Sequence, residues 1–264
     1  MAHIYAIKQM NLAAQLEALR SKGFTEEHAG IIVLVREAAI VLFDAFPDAL
    51  LLVGGANLIL FQESDRHSSD LDLTPIGDLP SFDALRDVLV TGLEPLAKLL
   101  DLNPLDITVS IKGLTVSGRR KQLFTIDIGN LGSVLRTNQD TNRLEATGTD
   151  RIANVRSASR DQLLLLKAEA FLFRPKVKAR DAYDIMKLFG RGAEFSGNLK
   201  QHLEDQMIGE FDAEHIRERI ESVDPKRCRS ELESFIPEST YRELEALGFQ
   251  PLRDALERIF EDWL

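Results

Sequence analysis

The sequence predicts an α/β fold, α+β in its ordering, followed by a helical C-terminal domain. Two observations carry the first part. Short apolar runs of strand length alternate with helix-length amphipathic stretches, and a glycine pair, Gly54-Gly55, joins one such run to a helix. A third carries the second part: from about residue 159 onward only helical periodicity is found. The expected domains are 1–150, with the N-terminal helices, and 151–264.

The elements follow in order. Asn11 to Ser21 carries Leu12, Leu16 and Leu19, and Thr25 to Phe46 carries Ile31, Ile32, Val35, Ala39, Leu42 and Phe43, both at helical spacing. Glu26 and Glu27 suit the first turn of the second helix. Pro47-Asp48 turns the chain into Leu50–Val53, an apolar strand, and a helix starts near Ala56. Asp70 opens the next strand. Ser81 caps a helix reaching about Leu100 through Leu85, Val88, Leu89, Leu93 and Leu96. Asp106 to Ile111 alternates with β-branched residues, Lys112-Gly113 turns the chain, and Leu114 to Ser117 returns. Gly118-Arg119-Arg120-Lys121 is a basic turn into Leu123–Gly129. Leu131 to Val155 is polar and reads as a loop or linker between domains. Ser159 caps a helix to Phe173, Pro175 interrupts it, and Ala179 to Phe189 resumes. Ser196 to Leu264 is amphipathic helix, clearest over Asp212–Val223 and Tyr241–Leu264.

Composition narrows the function. The formal net charge of −10 argues against a protein that coats nucleic acid non-specifically. A single cysteine, Cys228, excludes an internal disulfide and a cysteine-based zinc site, and fits a reducing cytoplasm. The five histidines show no metal-ligand spacing, and only His67 lies near the residues of interest. The N-terminal segment lacks the pattern of a signal peptide, and no apolar run is long enough to span a membrane.

The chemistry concentrates in Leu50 to Pro75. Gly54 and Gly55 leave backbone N–H groups bare at a helix start, a place where phosphate can sit. Asp70 and Asp72 share one face of a strand, with Leu71 and Leu73 on the other. Paired carboxylates repel unless a cation lies between them, and all-oxygen ligands suit Mg²⁺ with substrate phosphates. Asp127 interrupts an apolar strand, where an unpaired carboxylate is costly. It is the candidate third carboxylate, with Asp106 as competitor, or else a strand-end residue bonded to the following loop. Lys167 sits among leucines and needs a partner; a bridge to Asp181 between two helices would provide one. Arg174 to Arg180 is the densest basic run in the chain, suited to steering a nucleotide or meeting an RNA backbone, or to a solvated loop.

Gly54-Gly55 followed by Arg66-x-Ser68-x-Asp70-x-Asp72 resembles the signature of the polymerase-β-like nucleotidyltransferase superfamily. The form ending in Asp-Leu-Asp-Leu is similar to that of the AbiEii/AbiGii toxin family, whose members act in bacterial toxin–antitoxin pairs. The later Lys167 and Arg180-Asp181-x-x-Asp184 resemble a second motif of that family. The resemblance implies a core with a mixed sheet and transfer of a nucleotidyl group from an NTP to an acceptor hydroxyl. It implies Mg²⁺, or Mn²⁺ in its place, held by Asp70, Asp72 and Asp127. Gly54, Gly55, Asn57, Arg66, Ser68, Ser69, Lys167 and Arg180 would bind the nucleotide. Lys167 would meet the triphosphate, and Asp181 would hold the base or ribose side or position Lys167. The implied partners are an RNA (tRNA in particular) or protein acceptor and an antitoxin. Ala56 and Asn57 stand where many superfamily members carry Ser or Thr, a departure that bears on triphosphate grip. The other reading is a nucleotide- or partner-binding module of the same fold without catalysis.

Overall fold

The computed structural model describes residues 2–129, 139–147, 150–195, 197–207 and 212–264, with side chains from Met10 onward. The chain forms two units, Met1–Ala158 and Ser159–Leu264.

In the first unit the elements are α1 (Ala2–Ser21), α2 (Glu26–Ala45), β1 (Leu50–Leu52), α3 (Gly54–Phe61), β2 (Asp70–Pro75) and α4 (Phe82–Leu99). They are followed by β3 (Leu105–Ser110), β4 (Gly113–Gly118), β5 (Lys121–Ile128), β6 (Asp140–Glu145) and β7 (Ile152–Ser157). The strands make one mixed seven-stranded sheet in the order β3-β4-β5-β2-β1-β7-β6. The β2/β5 and β1/β7 pairs are parallel and the other pairs antiparallel.

Side-chain alternation decides which sheet face is dry. Leu71, Leu73, Ile107, Leu114, Val116 and Ile126 join one core cluster with α2 and α4. In α4 the buried residues Leu85, Leu89, Leu93 and Leu96 recur at helical spacing. Thr25 caps α2 and Ser81 caps α4, each accepting a backbone N–H from three residues on. Against this packed face, the other face of β2 and β5 carries Asp70, Asp72, Thr125 and Asp127, none of them buried.

Three expectations change in this unit. The stretch from Leu131 to Val155 is not simply linker: β6 and β7 lie at its end, while residues 130–138 fall outside the described set. Edge strand β6 has no buried residue on either face, so it carries no apolar alternation to read. Because β7 pairs with β1, the first unit runs past residue 150 to Ala158. The glycine pair also starts α3 itself, two residues before the expected Ala56.

The second unit holds α5 (Arg160–Phe173), α6 (Ala179–Gly190), α7 (Asn198–Met207), α8 (Ala213–Glu221) and α9 (Pro225–Leu232). Then come α10 (Glu238–Ala246), α11 (Gln250–Ile259) and a 3₁₀ turn, Glu261–Trp263. Ser159 opens α5 with a full capping box: its hydroxyl accepts the Gln162 N–H and the Gln162 amide oxygen accepts its own N–H. Tyr183, Phe171, Phe249 and Phe260 are among the largest fully buried side chains. The Tyr241–Leu264 stretch is two helices, divided where Gly248 and Phe249 take φ of 60° and 59°. Among the described residues no helix is long and apolar enough to cross a membrane.

Candidate active site

The carboxylates of the first unit are brought together by strand register. In the parallel β2/β5 ladder Asp70 lies opposite Thr125 and Asp72 opposite Asp127. Residues opposite one another on adjacent strands share a face, so Asp70, Asp72 and Asp127 form one row. The Thr125 hydroxyl donates to Asp70 Oδ1 at 2.9 Å. Asp127 is exposed, yet its carboxyl is pushed above the usual range, first by partial burial and next by the charge of Asp70, with Lys112 opposing. Asp106 belongs elsewhere. It pairs with Ser117, on an edge strand separated from β5 by β4.

The glycine pair is shaped around this row. Gly54 has φ +65°, and a Cβ there would overlap the Asp72 carboxylate. The Gly55 N–H donates to Asp72 Oδ2 at 3.3 Å, so the start of α3 already faces an anion of the protein's own. A Cβ on Gly55 would fall 2.9 Å from an Arg66 guanidinium nitrogen and still nearer the Ser68 hydroxyl. Arg66 and Ser68 are both buried, and Arg66 donates to the His67 carbonyl at 2.8 Å. The Ser69 carbonyl accepts the Thr125 N–H at 3.1 Å, starting the β2/β5 pairing. The motif residues around the glycines therefore brace the turn.

Asn57 has a structural task. It is fully buried, and its amide nitrogen donates to the carbonyls of Leu52 at 3.1 Å and Ala158 at 2.9 Å. It ties the ends of β1 and β7 to α3.

In the second unit Lys167 lies 2.8 Å from Asp184 and 3.5 Å from Asp181. The lysine side chain is 11% exposed and the two carboxylates 1% or less. Arg174 supplies the further ion pair to Asp181. The Arg180 guanidinium lies 5.7 Å from the Phe235 ring centre. A cationic cluster is nonetheless present: Lys178 is held below the usual ammonium range, chiefly by Arg180, then by burial and by Arg174.

Sequence reasoning missed Thr125, the proximity of Lys112 to Asp127, and the pairing of His67 with His28. The two imidazoles stack with centres 3.8 Å apart and planes 12° apart. Burial, then the neighbouring His28 and Arg66, lowers His67 to about 4. Only strand register and a long-range contact reveal these partners, and neither has a local sequence signal.

The row's chemistry suits a divalent cation. All three row residues are hard oxygen donors, and Asp70 raises the carboxyl of Asp127, a repulsion that a cation relieves. Among the described residues no three His, Cys, Asp or Glu side chains are grouped closely enough to hold an ion alone. The row thus fits a cation that also takes oxygens from a substrate, the usual habit of Mg²⁺.

Comparison with known proteins gives the fold and the family. The chain resembles a candidate nucleotidyltransferase from H. pylori at 15% identity and TM-score 0.51, covering 91% of this chain and 97% of that one. It resembles JHP933 from Helicobacter pylori at 14% identity and TM-score 0.54, covering 91% and 94%. No curated protein matches the sequence. The family model described as the nucleotidyl transferase AbiEii toxin of type IV toxin–antitoxin systems matches residues 39–262, which span both units. The chain therefore belongs to the AbiEii nucleotidyltransferase toxin family.

Proposed function

We propose that this nucleotidyltransferase moves a nucleotidyl group from an NTP to an acceptor hydroxyl at the Asp70–Asp72–Asp127 row. The observation that carries the reading is the register of Asp72 with Asp127 beside Asp70. A divalent cation, Mg²⁺ or Mn²⁺, would be held by Asp70 and Asp72 with Asp127 completing the set, and would neutralise triphosphate charge. Asp127, whose carboxyl is raised by partial burial and by the charge of Asp70, is placed as the proton acceptor of the row. It takes the proton as the acceptor oxygen bonds to the α-phosphorus and pyrophosphate leaves. The Thr125 hydroxyl fixes one oxygen of Asp70, and the Gly55 N–H one oxygen of Asp72, which orients both carboxylates.

For the second unit the family resemblance assigns Lys167 to the triphosphate and Asp181 to the base or ribose side, or to the positioning of Lys167. The ion pairs around Lys167 support that reading, since they hold its ammonium in one place. The type IV family description supports a role as a toxin with an antitoxin as partner, and a cytoplasmic location is proposed with it. RNA is the favoured acceptor, on the basic run from Arg174 to Arg180, with a protein hydroxyl as the other class.

A second reading is a nucleotide- or partner-binding module without catalysis. One experiment separates the two. Each NTP, labelled at the α-phosphate, is incubated with Mg²⁺, total cellular RNA and protein, beside a D70A variant. Label moving to RNA or protein, and absent with D70A, supports transfer. Mg²⁺-dependent NTP binding without any label transfer supports the module.

A further inference from the structure

The turn between β4 and β5 is built from the wrong residues for a turn. Gly118 pairs with Lys121, leaving Arg119 and Arg120 as a two-residue loop. Both have positive φ, 48° and 66°. Tight hairpins of this kind favour Asn and Gly, which reach that region with least strain. Two arginines side by side hold their place there against backbone preference, a mark of positions with another task.

The surroundings give that task a shape. Arg119 and Arg120 line a cavity of about 540 Å³ with Asn103, Pro104, Asp106 and Ser117. Asp106 and Ser117 are direct cross-strand partners. Asp106 and Arg120 have no side-chain hydrogen bond or ion pair among the described residues. Arg119 pairs with Asp101, but both side chains are well exposed, at 57% and 82%, and such pairs are weak and easily exchanged. The cavity therefore offers guanidinium forks for a phosphate and a carboxylate that can only accept, next to a hydroxyl and an amide.

We propose that this cavity is a ribose-phosphate site: Arg119 and Arg120 hold the phosphate and Asp106 accepts hydrogen bonds from the sugar hydroxyls. It is separate from the carboxylate row. Five residue steps along β4 lie between the Gly113–Asp127 pair and Gly118, roughly 16 Å at strand spacing. The ligand chemistry can come from a free nucleotide or from the backbone of an RNA strand. The proposal does not depend on catalysis at the row.

The test compares the full chain with R119N/R120G and D106N, all in EDTA. Fluorescence anisotropy follows a labelled single-stranded oligoribonucleotide; calorimetry follows AMP and dAMP. The double variant installs the residues such a turn prefers, so its Tm should equal or exceed that of the wild type. The expected result is binding by the wild type that falls tenfold or more in R119N/R120G at unchanged or higher Tm. The preference for ribo over deoxyribo ligands should disappear in D106N. Binding of AMP assigns the site to a free nucleotide. Binding of the oligomer alone, with a shallower salt dependence in the double variant, assigns it to an RNA strand. Binding left unchanged in R119N/R120G, or none by the wild type, overturns the proposal.

Discussion

Asp72 occupies the space that a side chain on Gly54 would need, and its carboxylate accepts the next N–H, from Gly55, at 3.3 Å. The glycine pair is thus required first by the protein's own carboxylate. G54A should cost about 2 kcal/mol or more, combining a positive φ with displacement of Asp72. G54A/D72A should recover part of that stability, since the overlap is gone, and no activity. Denaturant titration of the two variants, set against D72A alone, checks the coupling. Strict additivity of the two single changes would refute it.

Repulsion within the row predicts an inverse relation between stability and activity. The Asp127 carboxyl is raised in the folded chain, so the fold binds that proton more tightly than the unfolded chain does. Its contribution is present at low pH and lost as pH rises through the raised value. D127N should be equally or slightly more stable than wild type at pH 7 in EDTA, by ~0.2–1 kcal/mol for a solvent-screened charge pair. It should lose nucleotidyl transfer. Melting curves at several pH values with and without Mg²⁺ test this; a destabilised D127N at neutral pH would contradict it.

Lys167 neutralises two carboxylates that are almost completely buried. K167A should therefore destabilise by about 3–5 kcal/mol, because it strands buried charge. K167M with D181N and D184N should regain most of that stability. Activity measured on this repacked variant separates a triphosphate contact from a structural bridge. Full transfer activity there would assign Lys167 to the fold alone.

His67, lowered to about 4, stays neutral through mildly acid conditions while an unfolded histidine protonates near 6.5. Its contribution to stability is complete above the unfolded value and is lost as pH falls from about 6.5 toward 4. The loss should be on the order of 1–2 kcal/mol after allowing for partial exposure. In H67Q that part of the pH dependence should vanish, as read from chemical denaturation across the range.

What the sequence made legible was local. The caps at Thr25, Ser81 and Ser159, the Gly54-Gly55 turn and the shared face of Asp70 and Asp72 all rest on spacings within a few residues. Asp127 could be flagged as a misfit in its strand. That it faces Asp72 and not Asp106 follows from the parallel ladder, which no local pattern encodes. Arg180 was the visible choice for an ion pair, being in the motif, yet Arg174 makes the contact with Asp181. Asn57 looked like a ligand residue from its place after the glycines; its burial beneath two carbonyls depends on where β7 ends. β6 escaped notice because Leu144 is the one apolar residue among its six, too few to show an alternation.

The sheet order also sets a timetable for synthesis. β2 is complete in the chain at Pro75, but its parallel partner β5 begins only at Lys121, and β1 finds β7 only when Ser157 has been made. Parallel pairing between such distant segments forms late, after the loop-closing entropy has been overcome. A nascent or prematurely ended chain that stops before β5 carries Asp70 and Asp72 without Asp127. On the proposed chemistry, fragments released by interrupted translation would lack a complete carboxylate row.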